Sequence, residues 1–400
     1  MRVWLHRILR LITMMCVRFK RMLFLAGALV ALASLPLQAQ DDSPDTIYRN
    51  GIGRFSEGNY AESARLFQEL LSKFGQEPAL QTEMEGVYYA LGCSLYNLGK
   101  YPEAVEVYRS YLTRFPTARY RDEAMFRIGT AQQAQEAYDA AIEAYRQLTD
   151  QMPNSPYAED AAFQVGACCL LKTDYDKAAA AFGAFCTAYP ASELTGQALL
   201  FMSRAYYEGG KLDKAVDALA VLEGRGRRLS NIVYANFLAF EIGDAAYDDT
   251  NYELALRAYR RVQTRESLLR LQRRLVGELQ TALETFLTGR IDSQAVAERF
   301  RKERRLAGDL DQAQSLLQKL ETIPDYDAGL FHRIGRCFFN TDRYWEACVA
   351  FTRVVKEARD EALREAAHFD LIMVLSRMRR FEDLIGESDR YLARYEQGNL

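Results

Sequence analysis

Large apolar and small residues recur along this chain in a pattern that predicts paired helices. In the clearest stretch Tyr88, Leu91 and Leu95 stand at i, i+3 and i+7, one face of a helix, with Gly92 between them. Leu98-Gly99-Lys100 breaks that face, and Gly99 predicts the helix stop. Tyr101-Pro102-Glu103 opens a second helix, where the missing N–H of proline needs no partner. Ala104, Tyr108 and Tyr111 form the second stripe, and Phe115-Pro116 closes the unit. Small Gly92 and Ala104 allow two antiparallel axes to approach, and the tyrosines fill the wedge between units.

The unit repeats with a period of 37 residues, set by Pro116, Pro153 and Pro190. Within it recur Gly92, Gly129 and Gly166, then Tyr101, Tyr138 and Tyr175, then Tyr108, Tyr145 and Phe182. Looser copies are built on Gly51 and Phe67, on Ser203 and Leu219, on Gly243 and Tyr259, and on Gly335 and Phe351. The last is degenerate, with Ile372 in the glycine place. A fixed period of this length means stacked supersecondary units rather than one globular core. The predicted fold class is therefore all-α, an α-α superhelical solenoid of about eight helix hairpins.

One segment, Thr264 to Ile323, carries no repeat signature. Leu268, Leu271, Leu275, Leu279, Ala282 and Phe286 step by three or four, as do Leu310, Ala313, Leu317 and Leu320, around a turn at Gly289-Arg290-Ile291-Asp292-Ser293. These features predict a long antiparallel helical hairpin inserted between the sixth and seventh units. Its basic cluster, Arg299, Arg301, Lys302, Arg304 and Arg305, is either a solvated helix face or an anion contact. The expected organisation is a leader at 1–39, an array at 40–263, the hairpin at 264–323 and further repeats at 324–400. No polar capping helix follows the last unit, so the array is expected to continue past Leu400 or to dock on a partner.

Composition sharpens this reading at the N-terminus. Residues 1–39 hold six basic residues and no acidic one, then an apolar run from Met22 to Leu35 and a small-residue end at Ala39, the form of a secretory signal. The run is short of the ~20 residues that span a bilayer, and the alternative is an uncleaved anchor. Translation starting at Met14, Met15 or Met22 would give a leader of more ordinary length. Removing residues 1–39 takes Lys+Arg from 51 to 45 against 54 acids, a net charge of −9, which does not suit nucleic acid. Six cysteines remain, all inside predicted helices and expected to be buried thiols; Cys337 with Cys348, on facing helices of one unit, is the least implausible pair for a disulfide. With only His332 and His368 left, a multi-histidine metal site is not expected. No phosphate-cradling glycine loop and no nucleophile motif stands in the sequence, so no cofactor and no enzymatic activity are expected.

The order large apolar–Gly, aromatic, Ala, aromatic, apolar and Pro resembles the tetratricopeptide repeat. The 37-residue form with a leader is similar to repeats of bacterial envelope proteins such as the periplasmic TolA-binding protein and the outer-membrane barrel-assembly lipoprotein. That resemblance implies a concave groove lined by the first helices. The places that would face it hold Tyr89, Tyr96, Phe126, Phe163, Tyr207, Phe240, Tyr247, His332 and Phe339, with Arg204, Asp244, Asp248, Arg336 and Asn340 between them. An aromatic groove suits an extended peptide or a helix. The expected function is a periplasmic scaffold for protein partners of the cell envelope, at or near the outer membrane. The alternatives are a recogniser of envelope polymer, such as peptidoglycan or exported polysaccharide, and the targeting half of an enzyme continuing beyond Leu400.

Overall fold

The computed structural model describes residues 43–224, 229–288 and 296–395, with side chains omitted at the edges of those gaps. The expected leader at 1–39, the turn at 289–293 and the side chains of Arg299, Arg301 and Lys302 lie outside the described residues. Eighteen α-helices and one 3₁₀ turn, and no strand, occur among the described residues. The chain divides into two units, Met1–Ala198 and Leu199–Leu400.

Unit 1 holds four hairpins: α1 (Pro44–Ser56) with α2 (Tyr60–Phe74), α3 (Met84–Asn97) with α4 (Tyr101–Arg114), α5 (Arg121–Ala134) with α6 (Tyr138–Gln151), and α7 (Ala158–Leu171) with α8 (Tyr175–Ala188). α9 (Thr195–Glu208) begins at its end. Each hairpin closes on a ring seated against a glycine. A Cβ built on Gly92 would lie 2.5 Å from Cε1 of Tyr108, one on Gly129 2.5 Å from Tyr145, and one on Gly166 2.7 Å from Phe182. Those three rings are fully buried, which is worth roughly 1.5–3 kcal/mol each.

The turn inside each hairpin is also repeated. Lys100 N–H donates to Leu95 O at 3.0 Å and Asp174 N–H to Cys169 O at 2.9 Å, the bond that closes a helix through one left-handed residue. Gly58 and Gly99 fill that place at φ +78, but Glu136 stands there at +60 and Thr173 at +63. A β-branched residue is poorly suited to this conformation. Thr173→Gly is therefore expected to raise stability by about 0.5–1 kcal/mol in urea unfolding, the cost of strain outweighing the added chain entropy; an unchanged or lower midpoint would contradict it.

Unit 2 continues α9 and adds α10 (Leu212–Gly224), α11 (Leu229–Asp248), α12 (Tyr252–Tyr259), α13 (Arg265–Thr288), α14 (Val296–Thr322), α15 (Asp327–Asn340), α16 (Tyr344–Glu357), α17 (Glu361–Arg377) and α18 (Phe381–Arg394). The same lock recurs, with Gly243 against Tyr259 and Gly335 against Phe351. α12 is only eight residues long because the inserted hairpin begins directly after it. The arms of that hairpin, α13 and α14, pack on each other; Leu268, Leu269, Val276, Ala313 and Leu320 are buried, and buried Gln272 donates to Ala313 O at 2.8 Å. Ala282, expected in this seam, is exposed.

The insertion leaves the stacking of unit 2 intact. Arg265 clamps its base, donating from Nε to Ile323 O at 2.8 Å and from Nη2 to Glu321 O at 2.9 Å. Tyr326 then packs edge-on against Phe237 and Phe240, both at 6.0 Å, and its hydroxyl donates to Gln263 O at 2.7 Å. α12 thereby meets α15 directly. All six cysteines of the described residues are free, including Cys337 and Cys348. Burial pushes the thiols of Cys168 and Cys337 up to about 12, so both stay protonated and inert.

Candidate functional site

The rings expected to line a groove mostly pack between hairpins. Tyr89 stacks on Tyr120 with centroids 4.5 Å apart, and Phe126 stacks on Tyr157 at 5.4 Å. Phe163 is 2% exposed and sits against Phe182 and Phe185. Phe240 is held between Tyr259 at 5.9 Å and Tyr326 at 6.0 Å. Each ring is thus clamped between its own second helix and, except for Phe163, a tyrosine that precedes the next first helix. Tyr120, Tyr157 and Tyr326 were not expected in this role. The signal for two of them was present, since Tyr120 and Tyr157 each stand 31 residues after the ring they cover.

The second set of rings closes the turns within hairpins. Tyr96 is 3% exposed and meets Tyr101 at 5.5 Å; Tyr247 meets Tyr252 at 5.5 Å and Phe339 meets Tyr344 at 5.9 Å. Tyr207, Tyr247 and Phe339 remain half-buried, with Arg204 over the Tyr207 ring at 5.3 Å. Tyr96, Phe163 and Phe240, expected to line the groove, are buried, each against a ring of its own hairpin.

What the first helices of unit 2 share instead is a ladder of charges. Arg204 on α9 reaches Glu241 on α11 at 2.7 Å and Glu208 on its own helix, and the Arg204 and Glu241 side chains are only 10% and 9% exposed. Asp244 on α11 meets Arg333 on α15 at 3.0 Å and accepts from the Tyr259 hydroxyl at 2.7 Å. Burial and that carboxylate push the Tyr259 phenol well up, so it stays a donor. His332 on α15 meets Asp370 on α17 at 2.9 Å, and Arg336 approaches the same carboxylate oxygen at 3.8 Å. Successive first helices are therefore tied by charged pairs, and Arg333 and Arg336, 41% and 52% exposed, are far more open than Arg204 at 10%.

Between α11 and α15 the ladder borders a cleft of about 400 Å³ lined by Asp244, Tyr247, Asp248, His332, Arg333, Arg336 and Leu363. Of the expected site residues, Asp244, Tyr247, Asp248, His332 and Arg336 come together here; Arg204 is buried in its ion pairs instead. Arg333, not foreseen, lies over Phe240 at 5.4 Å as well as bridging to Asp244. The cleft offers both signs of charge and a half-buried ring. Among the described residues no group of three or more His, Cys, Asp or Glu is placed to hold a metal ion, and no helix is long and apolar enough to cross a membrane.

Residues 89–159 match the family model of the tetratricopeptide repeat. Outside that stretch the hairpins on Gly51, Gly243 and Gly335 share its glycine–aromatic lock. The comparison with curated proteins gives no significant match. Among solved structures, the chain is similar to the C-terminal part of a TPR repeat-containing protein from Cytophaga hutchinsonii, at 13% identity over 79% of this chain and 97% of that one, with a TM-score of 0.44. It is similar also to a tetratricopeptide repeat protein from Parabacteroides merdae, at 13% identity over 83% and 98%, TM-score 0.37. A third is MamA from Desulfovibrio magneticus, at 16% identity over 46% and 96%, TM-score 0.37.

Proposed function

We propose that this chain is a non-enzymatic scaffold of the bacterial cell envelope that binds a protein partner on the first-helix face of unit 2, at the cleft between α11 and α15. The observation that carries the reading is the cleft itself. Arg336 is 52% exposed and its ion contact among the described residues is the long one to Asp370, and Asp248 is exposed beside Tyr247. These groups, unlike the buried Arg204–Glu241 pair, are available to an incoming segment with charges of both signs. Tetratricopeptide hairpins supply the rigid helices that hold such groups in place. Export to the periplasm is supported by the basic, apolar and small-residue order of residues 1–39.

Tagged protein is used to capture partners from envelope extract, beside a Tyr247→Ala, Arg336→Glu variant. The variant is expected to lose its protein partner by about tenfold or more in affinity, as for a truncated anchor residue. Undiminished capture by the variant, or retention by purified peptidoglycan in place of any protein, would overturn the reading.

A further inference from the structure

The cleft between α11 and α15 is divided by sign. Its α11 wall carries Asp244 and Asp248 beside the Tyr247 ring, and its α15 wall carries Arg333 and Arg336. At one place the walls neutralise each other, Asp244 meeting Arg333 Nε at 3.0 Å. Asp248 stands four residues on from Asp244, and Arg336 three on from Arg333, about one helical turn in each case. This second rung is not closed in the same way. Among the described residues no ion pair joins Asp248 to Arg336; Asp248 is exposed, and Arg336 leans instead on Asp370 of α17 at 3.8 Å.

The other charges at this mouth leave the division in place. His332 Nε2 holds the same Asp370 oxygen at 2.9 Å, so that carboxylate is shared between two groups of α15. Asp249, exposed next to Asp248, adds to the acidic wall. Half-buried Tyr247 and Leu363 supply apolar surface between the walls. Facing charges of opposite sign that do not meet are complementary to a pair brought from outside. We infer, on the reading that this cleft is the partner site, that the bound segment carries one basic and one acidic side chain on a single face, the basic one set on Asp248 and the acidic one on Arg336, with an apolar side chain between them on Tyr247. Asp248 and Arg336 are then the residues that decide specificity, since each repels a segment that brings its own sign of charge.

The test selects a phage-displayed library of random segments of about twelve residues on the whole chain and, separately, on Asp248→Lys and Arg336→Glu, each changed at an exposed side chain. On the parent, segments that pair a basic with an acidic residue within about four positions are expected to be enriched about tenfold or more over segments with two like charges. On Asp248→Lys the preference is expected to pass to segments with two acidic residues, and on Arg336→Glu to segments with two basic ones. Enrichment without a charge bias, the same segments enriched on all three proteins, or no enrichment at all would overturn the inference. A charge-blind selection beside a partner that the parent captures from envelope extract, and that the Tyr247→Ala, Arg336→Glu variant loses, would remove this inference and leave the proposed function standing. Undiminished capture by that variant would remove both.

Discussion

Arg204→Ala is expected to destabilise unit 2 by about 3–5 kcal/mol, the largest effect of any single substitution considered for this chain. The guanidinium holds two carboxylates, Glu241 on the neighbouring first helix and Glu208 on its own. With the Arg204 and Glu241 side chains only 10% and 9% exposed, removing the cation takes a close ion partner from a carboxylate that is poorly solvated. The cost comes from that weakly solvated charge and not from the net worth of the bridge. A double change, Arg204→Met with Glu241→Leu, is therefore expected to be nearly neutral. Urea unfolding followed by far-UV circular dichroism checks both; a single variant as stable as the parent would show that the pair is solvated.

Gly166→Leu is expected to cost about 1–3 kcal/mol by overpacking. Its first added carbon would fall 2.7 Å from the Phe182 ring, which is fully buried and cannot withdraw without opening the α7–α8 hairpin. Gly277→Ala provides the contrast. Nothing lies within 4 Å of that position on α13, so the change is expected to stabilise by up to about 1 kcal/mol through helix propensity alone. Thermal melts in which Gly166→Leu matches the parent would remove the close-packing account of the repeat.

Much of the fold was legible because the period records local rules. Glycine facing an aromatic sixteen residues on, as Gly92 faces Tyr108, is a packing constraint inside one hairpin and survives in the sequence as a fixed offset. The break at Thr264 was visible for the same reason. The inner surface was harder to read. Whether Phe126 faces solvent or packs depends on Tyr157, a residue of the next unit, and Phe240 on Tyr326, which an insertion has carried far along the chain. The charge ladder has no local signature either, since Asp244 and Arg333 meet only because α15 takes the stacking place after α12. Charged residues at such places read equally well as solvated or paired until the register between helices is known.

The measurement that bears most directly on the proposed role is site-directed photocrosslinking in cells. A photoreactive phenylalanine derivative is placed at Tyr247, inside the cleft, and separately at Glu143, an exposed residue of α6. A discrete protein adduct from position 247 in the envelope fraction, absent from position 143, is the predicted result. Adducts of the same size and yield from both positions, or none from 247, would contradict a partner site at the cleft.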